Sequence, residues 1–177
     1  LPRIGILAVI AFALGAALPA GPRAALAAAD ASKAPRSEAA TPPSRVRVAP
    51  PGEPGTPLAL HVRIEDSATG RPVPGARLLV YQTDDQGYYR KSEDGRELGP
   101  REARLRATAS SDVSGVVIFD TIVPGSYPRS GIFRHIHYVL SAAGYRTRTQ
   151  EIILDEAPRP SDEQAAWARQ NGDVVAS

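Results

Sequence analysis

A chain of 177 residues allows one domain of ordinary size with appendages. With 23% charged and 42% hydrophobic residues a packed core is feasible, and wholesale disorder is excluded. The lack of cysteine excludes disulfides, thiolate zinc sites and iron–sulfur clusters. The net charge of +2 traces to Arg3 and Arg23: residues 1–29 hold no acid, and beyond them 19 basic residues face 19 acidic ones, which leaves no nucleic-acid footprint.

Arg3 precedes an apolar run from Ile4 to Leu18, and small residues follow through Ala24-Ala25-Leu26-Ala27-Ala28-Ala29. This reads as a secretory signal peptide over 1–29, cleaved near Ala27 or Ala29. A membrane anchor needs about 20 apolar residues, and Pro19, Gly21 and Pro22 end the run too early. The expectation is export to the periplasm or the extracellular space, with no stable membrane insertion after cleavage. Residues 30–57 carry seven prolines among Ala, Ser and Thr without an apolar period, the composition of a semi-rigid linker.

From Leu58 the pattern changes. Leu58, Leu60, Val62 and Ile64 alternate with Ala59, His61, Arg63 and Glu65, the period of a half-buried strand. Turn residues follow at 66–72 and at Pro74-Gly75, and Ala76, Leu78, Val80 and Gln82 then alternate with Arg77, Leu79, Tyr81 and Thr83. Asp85-Gln86-Gly87 turns again, 91–103 reads as a long charged loop, and further strands are predicted at 116–119, 134–141 and 147–154. A helix is predicted over 161–170, with Ser161 as cap and Glu163 in its first turn. The reading is an all-β fold, an antiparallel β-sandwich over 58–157, with a C-terminal tail over 158–177 that holds one short helix.

Two tyrosines and a His-x-His carry the chemistry. His135 and His137 project from one strand face, about 6–7 Å apart at Cα, and can converge on one metal ion. A bare His-x-His is as often a pair of solvated side chains. Here the pair follows Thr121-Ile122-Val123-Pro124-Gly125-Ser126-Tyr127-Pro128, where a Pro-Gly turn presents Tyr127 at a rim, and Gly87-Tyr88-Tyr89 places other tyrosines just after a turn. His61 reads as a cross-strand or solvated residue, and Trp167 as helix packing on the sandwich.

These pieces, with Thr69 to Ala76 and Thr149-Gln150, resemble the intradiol ring-cleavage dioxygenases from about Leu60 to Asp155. The resemblance implies a non-haem Fe(III) ion held by Tyr89, Tyr127, His135 and His137. It also implies a small aromatic diol and O2 as substrates, with a muconate-type diacid as product. On the same resemblance Tyr127 would be the tyrosinate that a catechol displaces and the base that accepts its proton, and Gln150 would orient Tyr127 or the substrate. A phenol of pKa about 10 loses its proton only to a highly charged cation, which favours ferric ion over zinc. Three departures stand out. His135 follows Tyr127 by only eight positions, Ile132 occupies the place of a family arginine, and the N-terminal helical dimerisation segment of the cytoplasmic catechol enzymes is expected to be absent. Arg129 is the remaining candidate to replace that arginine. Two alternatives stay open: an inactive or metal-binding relative serving as an extracellular β-sandwich binding module, and a transthyretin-like spacer. Oligomeric state is not legible.

Overall fold

The computed structural model describes residues 4–12, 41–155, 161–171 and 173–176. In chain order the strands are β1 (Ile4–Phe12), β2 (Arg45–Arg47), β3 (Pro57–Asp66), β4 (Arg77–Gln82), β5 (Arg90–Lys91), β6 (Glu97–Leu98), β7 (Leu105–Ser110), β8 (Val116–Ile122), β9 (His135–Ser141) and β10 (Arg148–Leu154), then helix α1 (Asp162–Gln170) and β11 (Val174–Ala176). One sheet runs β1-β3-β8-β2 and the other β11-β10-β9-β4-β7, with β5 and β6 forming a separate hairpin.

The predicted alternation sets the core. Leu58, Leu60, Val62 and Ile64 of β3, with Val117 and Phe119 of β8, meet Leu78 and Val80 of β4, Ile136, Tyr138 and Leu140 of β9, and Ile152 and Leu154 of β10 in one buried cluster. A large apolar side chain wholly buried in this way stabilises the fold by about 1.5–3 kcal/mol relative to its exposed state. Truncation of Phe119, which is fully buried, would cost about 3–5 kcal/mol. Opposite faces of the same strands turn outward. On β9 that face carries His135 and His137.

Three expectations change. The sheets are mixed rather than antiparallel: the central pairs β3–β8, β4–β7, β4–β9 and β9–β10 are antiparallel, whereas the edge pairs β1–β3, β2–β8 and β10–β11 are parallel. The folded unit begins before residue 58, because Arg45–Arg47 pair with β8, and Val48 and Ala49 are buried. Extended proline-rich backbone suits an edge strand as readily as a spacer. The apolar run from Ile4 lies beside β3 as a strand, with Ile6, Ala8 and Ile10 buried. Residues 13–40, with the expected cleavage positions, lie outside the described part. Within the loop expected at 91–103, Arg90–Lys91 and Glu97–Leu98 form the short hairpin. Helix α1 forms where predicted, with a capping box in which Ser161 and Gln164 bond each other's backbone N–H.

Candidate metal centre

His135 and His137 share the outer face of β9, as period 2 requires. Across the sheet, Tyr81 of β4 and Glu151 of β10 sit directly opposite His137 in register. The Tyr81 ring stacks on the His137 imidazole, with centroids 4.8 Å apart and planes 10° from parallel. Ile153 lies opposite His135.

Two loops bring in the phenols. The first turns at Asp84–Tyr88, where the Asp84 carboxylate accepts from the backbone N–H of Gln86 and Tyr88 (both 3.0 Å), and it delivers Tyr89. The second delivers Tyr127 two residues after Gly125. The loops are tied together: Gly125 N–H donates to the Asp84 carbonyl at 2.7 Å, and the Thr83 hydroxyl donates to the Gly125 carbonyl at 2.8 Å. Gly87 has φ of 88° and packs so closely on Ser126 that any side chain there would collide with it. Arg104 holds the far side of the first loop. Its guanidinium donates to Glu53 at 2.6 Å and its backbone N–H to the Tyr89 carbonyl at 3.1 Å.

Four atoms converge. Tyr89 Oη is 2.7 Å from His137 Nε2 and in hydrogen-bond contact with Tyr127 Oη. Tyr127 Oη is 3.0 Å from His135 Nε2 and 3.2 Å from His137 Nε2, and the two Nε2 atoms are 3.2 Å apart. Such spacings suit ligand atoms that each lie about 2.0–2.2 Å from one shared cation.

The outer contacts settle which nitrogen carries the proton. His135 Nδ1 lies 2.7 Å from the Phe133 carbonyl, which only accepts, so Nδ1 donates and Nε2 keeps its lone pair. His137 Nδ1 faces the Glu151 carboxylate at 3.4 Å, with the same consequence. Each Nε2 lone pair then accepts from a phenol, His137 from Tyr89 at 2.7 Å and His135 from Tyr127 at 3.0 Å, and a cation bound among the four atoms would take the place of those protons. Burial, reinforced by neighbouring His135, lowers His137 to about 4, so it is neutral at pH 7. Burial also holds the Tyr89 and Tyr127 phenols above their ordinary value of 10.0, with the Tyr127 hydroxyl adding to the shift at Tyr89. A cation must displace both phenolic protons, and two phenolates with two neutral imidazoles suit a hard, highly charged ion.

All four ligand positions expected from the sequence thus meet. Tyr88 does not: it points away, beneath the Lys91 ammonium, which stands 3.9 Å over its ring. Gln150 lies opposite Tyr138 in register, its amide donates to the Asn171 carbonyl, and it lines a cavity together with His137 and Glu151. Its neighbour Glu151 faces the centre. Only strand register reveals this, because Thr149-Gln150-Glu151 does not state which residue opposes His137. Arg129 is exposed at φ of 61°, outside the lining of the cavity beside His135. Trp167 is corrected. Alanines Ala165 and Ala168 form the contact face of α1, leaving the Trp167 side chain 64% exposed over that cavity. The cavity measures about 420 Å³ and lies between α1, the 131–133 loop and the outer face of β9 and β10. His135 and Glu151 form part of its wall, so it borders the centre on the imidazole side, while Tyr89 and Tyr127 line a separate cavity of about 330 Å³ with Gly87, Tyr88 and Pro100. His61, on the other sheet, takes no part.

The comparisons agree with this geometry. The model of a family described as dioxygenase matches residues 34–171. Catechol 1,2-dioxygenase of Acinetobacter baylyi is 30% identical over 138 residues, covering 68% of this chain and 43% of its own. Hydroxyquinol 1,2-dioxygenase of Rhodococcus opacus is 31% identical over 125 residues, covering 61% and 39%. The chain thus spans less than half the length of these two relatives. Among solved structures, the dioxygenase domain of a dioxygenase–carbohydrate-binding fusion from Streptomyces sp. SirexAA-E aligns with a TM-score of 0.56 at 25% identity, covering 82% of this chain and 84% of that one. The match over most of the chain and the four converging ligands lead to one conclusion: the chain belongs to the intradiol ring-cleavage dioxygenase family.

Proposed function

We propose that the protein is an exported, non-haem ferric dioxygenase that opens catechol-like aromatics with O2. The observation that carries this reading is the convergence of two phenol oxygens and two imidazole nitrogens, each within 3.2 Å of at least two of the others. A ferric ion bound there would supply the Lewis acidity and the redox partner that let an electron-rich diol react with dioxygen.

The residues divide the remaining work. Tyr89, buried and held through its backbone by Arg104, is the fixed phenol. Tyr127 sits on coil, is more exposed, and is the phenol free to swing out and accept a proton from a substrate hydroxyl. Carbonyl Phe133 and carboxylate Glu151 keep both Nε2 atoms unprotonated and aimed inward. The net reaction adds both atoms of O2 across the carbon–carbon bond between the two hydroxyl-bearing carbons, giving a muconate-type diacid. Oxygen uptake with catechol, coupled to muconate detected by mass spectrometry, tests the reading. Iron-loaded protein that consumes no oxygen with any catechol would leave the metal-binding relative as the better account. That second reading is favoured by one observation, the lack of any Arg or Lys among the described residues lining the cavity beside His135.

Export rests on Arg3, the apolar run and the alanine-rich stretch that follows it. The outward residues of β1 agree with a segment of temporary residence: Leu7 is 61% and Val9 46% exposed, whereas β3 turns His61, Arg63 and Glu65 outward.

A further inference from the structure

The cavity beside His135 has two unlike parts. Ile132, Phe133 and Trp167 give it an apolar, aromatic wall, and Ile132 and Trp167 are held exposed (49% and 64%) with no core to join. The remaining wall is acidic. Glu151 contributes from β10, Glu163 from the first turn of α1, and Asp173 from just before β11, and no Arg or Lys stands among the described lining residues. Asp173 is fixed in place, since its carboxylate accepts the Glu151 backbone N–H at 3.1 Å. A volume of about 420 Å³ falls within the usual range for small-molecule sites, about 300–1,000 Å³.

We infer that this cavity selects catechols that carry a cationic amine on their side chain and discriminates against those that carry a carboxylate. The inference rests on the proposed catechol chemistry and names the substrate class for it. On this reading a diol at the four converging side chains would direct its ring substituent past His135 into this cavity. An aromatic or alkyl stem packs there against Ile132, Phe133 and Trp167. An ammonium at its end meets three carboxylates and the face of an indole, both of which attract a cation. A carboxylate in the same place meets three like charges, with no guanidinium among the described lining residues to offset them.

The test is anaerobic calorimetry on the iron-loaded full chain with three 4-substituted catechols: 2-aminoethyl (cationic), ethyl (neutral) and carboxymethyl (anionic). The expected order of affinity is amine, then ethyl, then acid, with the amine at least about tenfold tighter than the acid at low salt and the gap narrowing as salt rises. Glu163→Gln, at an exposed helix position, should shrink the amine-to-acid ratio, and Glu163→Arg should shrink it further or reverse it. Equal affinities, or tighter binding of the acid, while ethylcatechol still binds would overturn the charge selection and leave the catechol reading intact. A protein that binds iron but none of the three would overturn both. An amine preference that survives Glu163→Arg unchanged would also overturn the assignment to this cavity.

Discussion

Gly87 and Gly125 meet back to back beneath the metal centre: a Cβ built on Gly87 would lie 2.0 Å from the Ser126 carbonyl oxygen, and one built on Gly125 would lie 2.4 Å from the Gly87 nitrogen. Each glycine precedes its ligand tyrosine by two residues, so the closeness of the two loops sets the closeness of the two phenols. Gly87→Ala must also adopt φ of 88°, a strain of about 1–3 kcal/mol before the collision is counted. Either glycine-to-alanine change should therefore separate Tyr89 from Tyr127 and abolish stoichiometric iron binding. Metal analysis beside a far-ultraviolet spectrum checks this, since the β-sandwich signal should persist while iron is lost.

Glu151 acts on the centre through His137. Removing its carboxylate frees the imidazole to place its proton on either nitrogen, and loss of such an outer partner lowers metal affinity by about 10–100-fold. Glu151→Ala should show that fall in a chelator competition. Glu151→Gln, whose carbonyl can still accept from Nδ1, should recover part of it. Gln150→Ala should leave iron affinity unchanged, because its amide serves the Asn171 carbonyl.

The protonation states make a pH prediction in two parts. Both ligand tyrosines are held above 10.0 by burial, so they are neutral phenols at pH 7, and ferric loading should release about two protons per ion. A pH-stat titration reads this directly. His137 falls from 6.5 to about 4 on folding, so between these values the unfolded chain binds more protons than the folded one. Stability of the metal-free protein should therefore be fully present above about pH 6.5 and be lost progressively as pH falls toward 4. Thermal melts across that range test the sign, and a His137→Asn variant should show a shallower dependence.

Much of this was legible in the chain. Alternation at Leu58–Ile64 fixed which residues of β3 face the core, and Gly-x-Tyr, Pro-Gly-x-Tyr and His-x-His named all four convergent side chains. Register was not legible, so the place of Glu151 opposite His137 went unseen: neighbouring strand residues face opposite ways. Nor was the role of Trp167, because an indole on a helix reads as packing until neighbouring alanines are seen to take the contact face. The early strands escaped for another reason. Proline-rich or uniformly apolar segments lack the polar alternation that marks a half-buried strand, and β1 and β2 gain their place only from an edge already formed by β3 and β8.

The export proposal makes its own prediction for β1. Protein recovered outside the cytoplasm should begin near Ala28 or Asp30, and that shortened chain should still bind iron, since no ligand comes from β1. N-terminal sequencing with iron analysis decides it. Intact Leu1 on a membrane-bound species would replace secretion with anchoring.

Iron content and visible absorption of the purified protein test the central claim most directly. Ferric ion held by Tyr89, Tyr127, His135 and His137 should give about one iron per chain and a coloured protein through phenolate-to-metal charge transfer. Tyr127→Phe should weaken the band and the iron affinity together, whereas His61→Ala should change neither. A colourless protein that stays metal-free after ferric reconstitution would contradict the account.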